Sequence, residues 1–148
     1  MENTPTFTYR VATGSRFANP RALEAARAWA RTCIDDLQTV VIVGDAPGID
    51  AAIISEFNLH KCKRIRVHGW GGKVRCRTLY GINLALIFPS PLTRNQFMLK
   101  HYKIHDCTAF WDGASSGTRH TFTLARSLNI LTTVNVFAKQ KGTEHAKQ

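Results

Sequence analysis

The sequence predicts an α/β fold, a three-layer sandwich built on a mainly parallel sheet. Three observations predict it. Short β-prone runs recur along the chain, at residues 7–12, 40–43, 64–68, 107–111 and 131–137. Stretches with helical apolar spacing separate them, the pattern of successive βα units. The run Val40-Val41-Ile42-Val43 has no polar alternation, as a strand covered on both faces requires. With 44% hydrophobic and 20% charged residues, a chain of 148 residues has the composition of one folded domain and not of a disordered segment. We place that domain at residues 1–138, followed by a polar tail at 139–148 that is expected to fray.

The elements follow in order. Phe7 to Ala12 alternates and reads as a strand, and Thr13-Gly14-Ser15-Arg16 breaks it. Asn19 suits a helix cap and Pro20 a first turn. Leu23, Ala26, Ala30, Cys33, Ile34 and Leu37 then share one helical face, to about residue 37. After the strand 40–43 comes the tight loop Gly44-Asp45-Ala46-Pro47-Gly48-Ile49-Asp50, then a short helix with Ile53, Ile54 and Phe57 inward. Arg64 to His68 is a third strand, ended by Gly69-Trp70-Gly71-Gly72. The apolar stretch Ile82 to Phe88 fits a strand, a core-facing loop or an oligomer contact. Thr93-Arg94-Asn95-Gln96 has capping-box spacing, which predicts a helix over about 94–103. Cys107 to Trp111 is a strand. The small-residue loop Asp112 to Thr118 leads into a helix with Phe122, Ala125 and Leu128 inward, and Leu131 to Phe137 is the last strand.

Charge is unevenly placed. The formal net charge is +10, and no acidic residue lies between Glu56 and Asp106. That stretch holds Lys61, Lys63, Arg64, Arg66, Lys73, Arg75, Arg77, Arg94, Lys100 and Lys103. A basic excess of this kind attracts phosphates, in nucleotides or in nucleic acid, or simply keeps a surface soluble. The four cysteines, Cys33, Cys62, Cys76 and Cys107, include no CxxC pair, and with His60 and His68 they match no standard zinc spacing. No metal and no cofactor is expected. No apolar run is long enough to span a bilayer, and no basic-then-apolar leader opens the chain, so a cytoplasmic protein without a membrane partner is the expectation.

Three loops share one design, each leaving the C-terminal end of a predicted strand, rich in small residues and running towards a helix. In an open parallel sheet that edge binds ligands, and a helix N-terminus there offers N–H groups and a positive dipole end to phosphate. Ser15, Ser115, Ser116 and Thr118 add hydroxyls; Arg16 and Arg94 add fixed positive charge. The GxGxxG and GxxxxGK[ST] patterns are absent, which argues against a standard dinucleotide or P-loop site.

These segments together resemble the SLOG superfamily, a Rossmann-like nucleotide-binding group that includes DprA-type DNA-processing proteins and Lonely-Guy-type phosphoribohydrolases. Small stand-alone YspA-like and YpsA-like members are the nearest in kind. The residues that carry the likeness are Gly14-Ser15-Arg16, Gly44 to Asp50, Arg94-Asn95-Gln96-Phe97-Met98, and Phe110-Trp111-Asp112-Gly113 with Ser115-Ser116-Gly117-Thr118, spanning about residues 8–135. The resemblance implies a Rossmann-like sandwich. It implies that Gly14, Ser15, Arg16 and Arg94, with Asn95 beside it, line a nucleotide pocket. It implies that Gly44, Ala46, Gly48 and Asp50 shape its floor, and that Ser115 to Thr118 cradle a phosphate or ribose. Hydrolytic Lonely-Guy-type members carry a glutamate where this chain has Thr121, which neither activates water nor stabilises a cationic ribose well. Asp50, Asp112 and His120 are the other catalytic candidates, and Asp50 is the best of them as an acceptor for a ribose hydroxyl. Their plain readings are a helix cap, a turn residue and a solvent-facing side chain. The plain reading of Arg94 is a surface residue in a first helical turn. Trp70 is a candidate for base stacking, and Trp111 for the core.

Three functions compete on this reading. One is a module that senses or sequesters a nucleotide or ADP-ribose-derived ligand, with bacterial immunity or phage counter-defence as its setting. The others are an N-glycosidic phosphoribohydrolase and a DprA-like binder of single-stranded nucleic acid. A homodimer or higher homo-oligomer is expected, through the apolar stretch at 79–90.

Overall fold

The computed structural model describes residues 6–138. Six strands, β1 (Thr8–Gly14), β2 (Thr39–Gly44), β3 (Ile65–His68), β4 (Ile82–Leu84), β5 (Ile104–Trp111) and β6 (Leu131–Val136), form one sheet in the order β4-β3-β2-β1-β5-β6. Every pairing is parallel. Four helices connect them: α1 (Pro20–Asp35), α2 (Ile49–Leu59), α3 (Pro91–His101) and α4 (Ser116–Ser127). The expected polar tail lies outside the described residues.

Alternation along the buried strands divides the core in two. Val41 and Val43 of β2 pack with Ala26, Ala30, Ile53 and Phe57 of α1 and α2. Val40 and Ile42, one residue out of phase, pack with Met98, Leu99 and Ala125 of α3 and α4. Since side chains on a strand alternate faces, an unbroken β-branched run is what a sheet with helices on both sides demands. The result is a Rossmann-like three-layer sandwich.

The chain winds outwards from β1 to β4, then returns to place β5 on the other side of β1. The carboxyl ends of β1, β2 and β5 therefore border the topological switch point, where open α/β sheets leave a crevice.

Several boundaries differ from the sequence reading. α1 ends at Asp35, so Leu37 is not on its inner face and is 72% exposed. The reason is Arg64, whose guanidinium donates to the carbonyls of Ile34 (2.6 Å), Asp36 (2.9 Å) and Thr39 (2.6 Å) and closes the helix end. α3 begins at Pro91, not near 94: Ser90 is its cap, in a reciprocal capping box with Thr93. Thr93 thus supplies the third helical position of the box. Leu128 follows α4 as its C-cap and is partly exposed, whereas Phe122 and Ala125 are buried. The ambiguous stretch contributes only the three-residue edge strand β4.

Candidate nucleotide-binding crevice

A cavity of about 410 Å³ opens at the switch point, within the size range of small-molecule sites. Gly14 at the end of β1, Gly44 at the end of β2, Ala46, Asp50, Arg94, Asn95 and Ser115 to Thr118 all line it, together with Arg16 at its mouth. Three of the four sequence segments singled out for a pocket thus converge with the α3 segment on one space.

Two of the expected residues sit elsewhere. Ser15 is buried, and its hydroxyl accepts from the Asp112 backbone N–H (3.0 Å), tying the β1 and β5 loops together. Gly48 lines an adjoining cavity instead. Its φ of +85° and its closeness to Ser15 leave no room for a side chain: a Cβ would lie 2.4 Å from the carbonyl oxygens of Ser15 and Arg16. Gly48→Ala is expected to destabilise the fold by roughly 3 kcal/mol, read as a lower urea midpoint at unchanged m-value.

The four helix N-termini fall into two kinds. α1 and α3 are capped by the side chains of Asn19 and Ser90. α2 and α4 begin at Gly48 and Ser115 without a side-chain capping bond. Gly48 has no side chain to give. Ser115 has one, but Asp112 diverts it: Asp112 Oδ2 accepts from the Ser115 hydroxyl (2.8 Å), while Oδ1 accepts from the backbone N–H of Ala114 (2.9 Å) and Ser115 (2.7 Å). Burial pulls the Asp112 carboxyl upward, yet these bonds outweigh it and hold it below the usual carboxylate range. Among the described residues, the first-turn N–H groups of α4 have no acceptor, and they lie beside the cavity. A Cβ on Gly117 would meet nothing within 4 Å.

Arg94 is no surface residue. It is 2% exposed, and its guanidinium donates to Asp45 Oδ1 (2.7 Å), to the His68 carbonyl (2.5 Å) and to Asn95 Oδ1 (2.7 Å). Among the described residues its Nη2 has no protein partner. Gly44 makes room for this group, since a Cβ there would lie 2.7 Å from Arg94 Cζ. The second oxygen of Asp45 accepts from the Arg75 backbone N–H (2.8 Å) and meets the Arg75 guanidinium at 3.5 Å. Arg75 in turn stacks on Trp70, 4.0 Å from the ring centroid, and both line the cavity.

Asp50 is not the cap of α2 but its second residue, and its Oδ2 accepts from the Ala46 N–H (3.1 Å). It is 6% exposed. Burial pushes its carboxyl up to about 6, against the opposing pull of Arg94 and the Ala46 bond. Thr121 is buried; its hydroxyl donates to the Gly117 carbonyl (3.0 Å) and accepts from Asn95 (3.2 Å). His120 is exposed. Trp111, expected in the core, is only half-buried: it packs edge-on against Phe122 and donates to the Ser115 carbonyl (2.9 Å).

Sequence reasoning passed over Asp45 and Arg75 as site residues. A carboxylate directly after a fully buried strand is itself a signal, because burial there demands a cationic partner. The identity of that partner depends on the tertiary fold. The basic stretch also resolves into separate roles. Arg64 closes α1, Arg66 lies over Tyr9 and Tyr102, and Arg75 and Arg94 hold Asp45. Of the histidines without a standard zinc spacing, His60 Nε2 lies 3.5 Å from Glu56 Oε1, and His68 bonds the Tyr102 hydroxyl (2.7 Å).

The architecture and the crevice define a Rossmann-like α/β protein with a helix-bounded cavity at its switch point. No protein-family model matches the chain, and no curated protein matches it. Among solved structures the chain is similar to DNA processing protein A from Helicobacter pylori, a protein described for its single-stranded DNA binding mode. The TM-score is 0.67 at 16% identity, over 98% of this chain and 73% of that one. At that identity the likeness is one of fold. No helix among the described residues is long and apolar enough to cross a membrane.

Proposed function

We propose that this chain is a SLOG-type module that binds a nucleotide or ADP-ribose-derived ligand in the switch-point cavity, as a sensor or sequestering protein. The observation that carries this reading is the α4 N-terminus, which has no side-chain cap and lines the cavity through Ser115 to Thr118. A phosphate over α4 satisfies the N–H groups that Ser115 leaves free. Arg16, exposed and without an ion pair among the described residues, closes over it from the mouth. The Trp70–Arg75 wall offers a face for a base. The hydrolase reading has less support, because Thr121 is buried and engaged by Gly117 and Asn95. A homo-oligomer is supported by the exposed Leu79, Ile82 and Ile87, and light scattering of the purified protein tests it.

A second reading, binding of single-stranded nucleic acid, is favoured by the fold likeness to the Helicobacter pylori protein. Salt separates the two. A strand that neutralises several phosphates loses affinity steeply, with a log–log slope of about −0.7 per contact. A ligand held by a few cavity contacts responds weakly. We expect ADP-ribose to raise the melting temperature of the protein and to do so nearly equally at 50 and 300 mM salt. A shift seen only with oligodeoxynucleotides, and lost at the higher salt, overturns the small-ligand reading in favour of the second.

A further inference from the structure

We propose that Asp50 recognises a ribose hydroxyl, so that the cavity discriminates ribonucleotides from nucleotides lacking those hydroxyls. The inference rests on the nucleotide reading above and adds the chemical class of the sugar. Asp50 lines the cavity and is more than nine-tenths buried. One of its oxygens is occupied by the Ala46 N–H. The other has no partner among the described residues, yet it is not among the buried polar atoms left unsatisfied, so it retains access to the cavity. A carboxylate only accepts hydrogen bonds, so its partner must be a donor.

The topology says which donor. Asp50 rises from the β2 loop and the free N–H groups of α4 from the β5 loop, on either side of β1. The strands from which they rise, β2 and β5, are two spacings apart, about 10 Å. With a phosphate on α4, the next part of a nucleotide to pass over Gly14 is its sugar, and the base lies beyond, towards Trp70. Asp45, which stands directly after β2, is unavailable for this task, because Arg94 and Arg75 occupy both its oxygens. Arg94 remains beside the sugar site with Nη2 unused.

Calorimetric titration of AMP and of 2′,3′-dideoxy-AMP into the wild-type protein and into Asp50→Asn tests this. In the variant the Ala46 N–H retains the amide oxygen, which turns the amide NH₂ towards the ligand and removes the acceptor. A hydrogen bond to a charged acceptor corresponds to roughly 10–100-fold in affinity. Wild type is expected to prefer AMP by that factor, and Asp50→Asn is expected to bring AMP down to the level of the dideoxy analogue. Circular dichroism melting establishes that the variant is folded. Equal binding of the two nucleotides by wild type overturns the inference while the nucleotide reading stands. A preference that survives in Asp50→Asn also overturns it. Binding of neither nucleotide at millimolar concentration overturns this inference, and the ADP-ribose melting shift then decides whether the nucleotide reading stands.

Discussion

Asp45→Ala is expected to lower stability by about 3–5 kcal/mol, the cost of removing one partner from a buried ion pair. For a chain of this length that is a fall in melting temperature of roughly 10 °C or more. Arg94 is almost wholly enclosed, and its pairing with Asp45 Oδ1 at 2.7 Å supplies the only carboxylate on its guanidinium among the described residues. Without Asp45 the charge stays buried with two neutral acceptors, His68 O and Asn95 Oδ1. The Arg75 backbone N–H loses its acceptor at the same time, while the Arg75 guanidinium keeps the Trp70 and Lys73 carbonyls. The double substitution Asp45→Ala, Arg94→Met is expected to recover much of the loss, because an apolar side chain has no charge to leave unpaired. A double-mutant cycle read by urea denaturation tests this. A cycle in which the two losses simply add contradicts the pairing.

The second large effect has the opposite sign. Asp50→Asn is expected to stabilise the fold by on the order of 2–3 kcal/mol at pH 7.5. The folded-state pKa is about 6, raised from the ordinary 3.8. The folded protein therefore holds this proton more tightly than the unfolded chain, and ionisation of Asp50 costs stability above pH 6. The cost shrinks as pH falls from 6 towards 4, and the advantage of Asp50→Asn shrinks with it. His68 acts against this in the wild-type profile: burial lowers it to about 4, so its protonation on unfolding removes stability below about pH 6.5. The difference between wild type and variant cancels the His68 contribution. The other groups facing Asp50, namely Arg94, Asp45 and Cys76, are common to both proteins. A charge retained against stability in a cavity wall is the pattern of a functional group. Chemical denaturation of both proteins between pH 4 and 8 measures it; a destabilised variant at pH 7.5 contradicts the account.

Much of the fold was readable because its signals are local. The β-branched run at 40–43 identified a buried strand, and the Asn19-Pro20 step located the start of α1 within a residue. What the sequence hid is tertiary. Leu37 continues the apolar face of α1, but Arg64, 27 positions on, ends that helix before reaching it. The spacing from Thr93 to Gln96 and that from Ser90 to Thr93 both fit a capping box, and the Ser90-Pro91 step settles the choice in the structure. Within the site, small-residue loops at strand ends revealed the crevice, since glycine and hydroxyl residues are needed wherever backbone approaches a ligand. The Asp45 pairing with Arg75 and Arg94 was hidden, because an ion pair across 30 or 49 positions leaves no periodicity to read. The basic middle third illustrates the same limit. A charge count cannot distinguish cations that close a helix or hold a carboxylate from those that face a partner.

In the proposed function a nucleotide's phosphate sits on the first-turn N–H groups of α4. Amide NMR of the ¹⁵N-labelled protein during titration with ADP-ribose tests it most directly. The expected result is saturable shifts of the Ser116, Gly117 and Thr118 amides, with Arg16 following, nearly unchanged at 300 mM salt. Shifts confined to the neighbourhood of surface lysines such as Lys61, Lys63, Lys100 and Lys103, and abolished by salt, would contradict it.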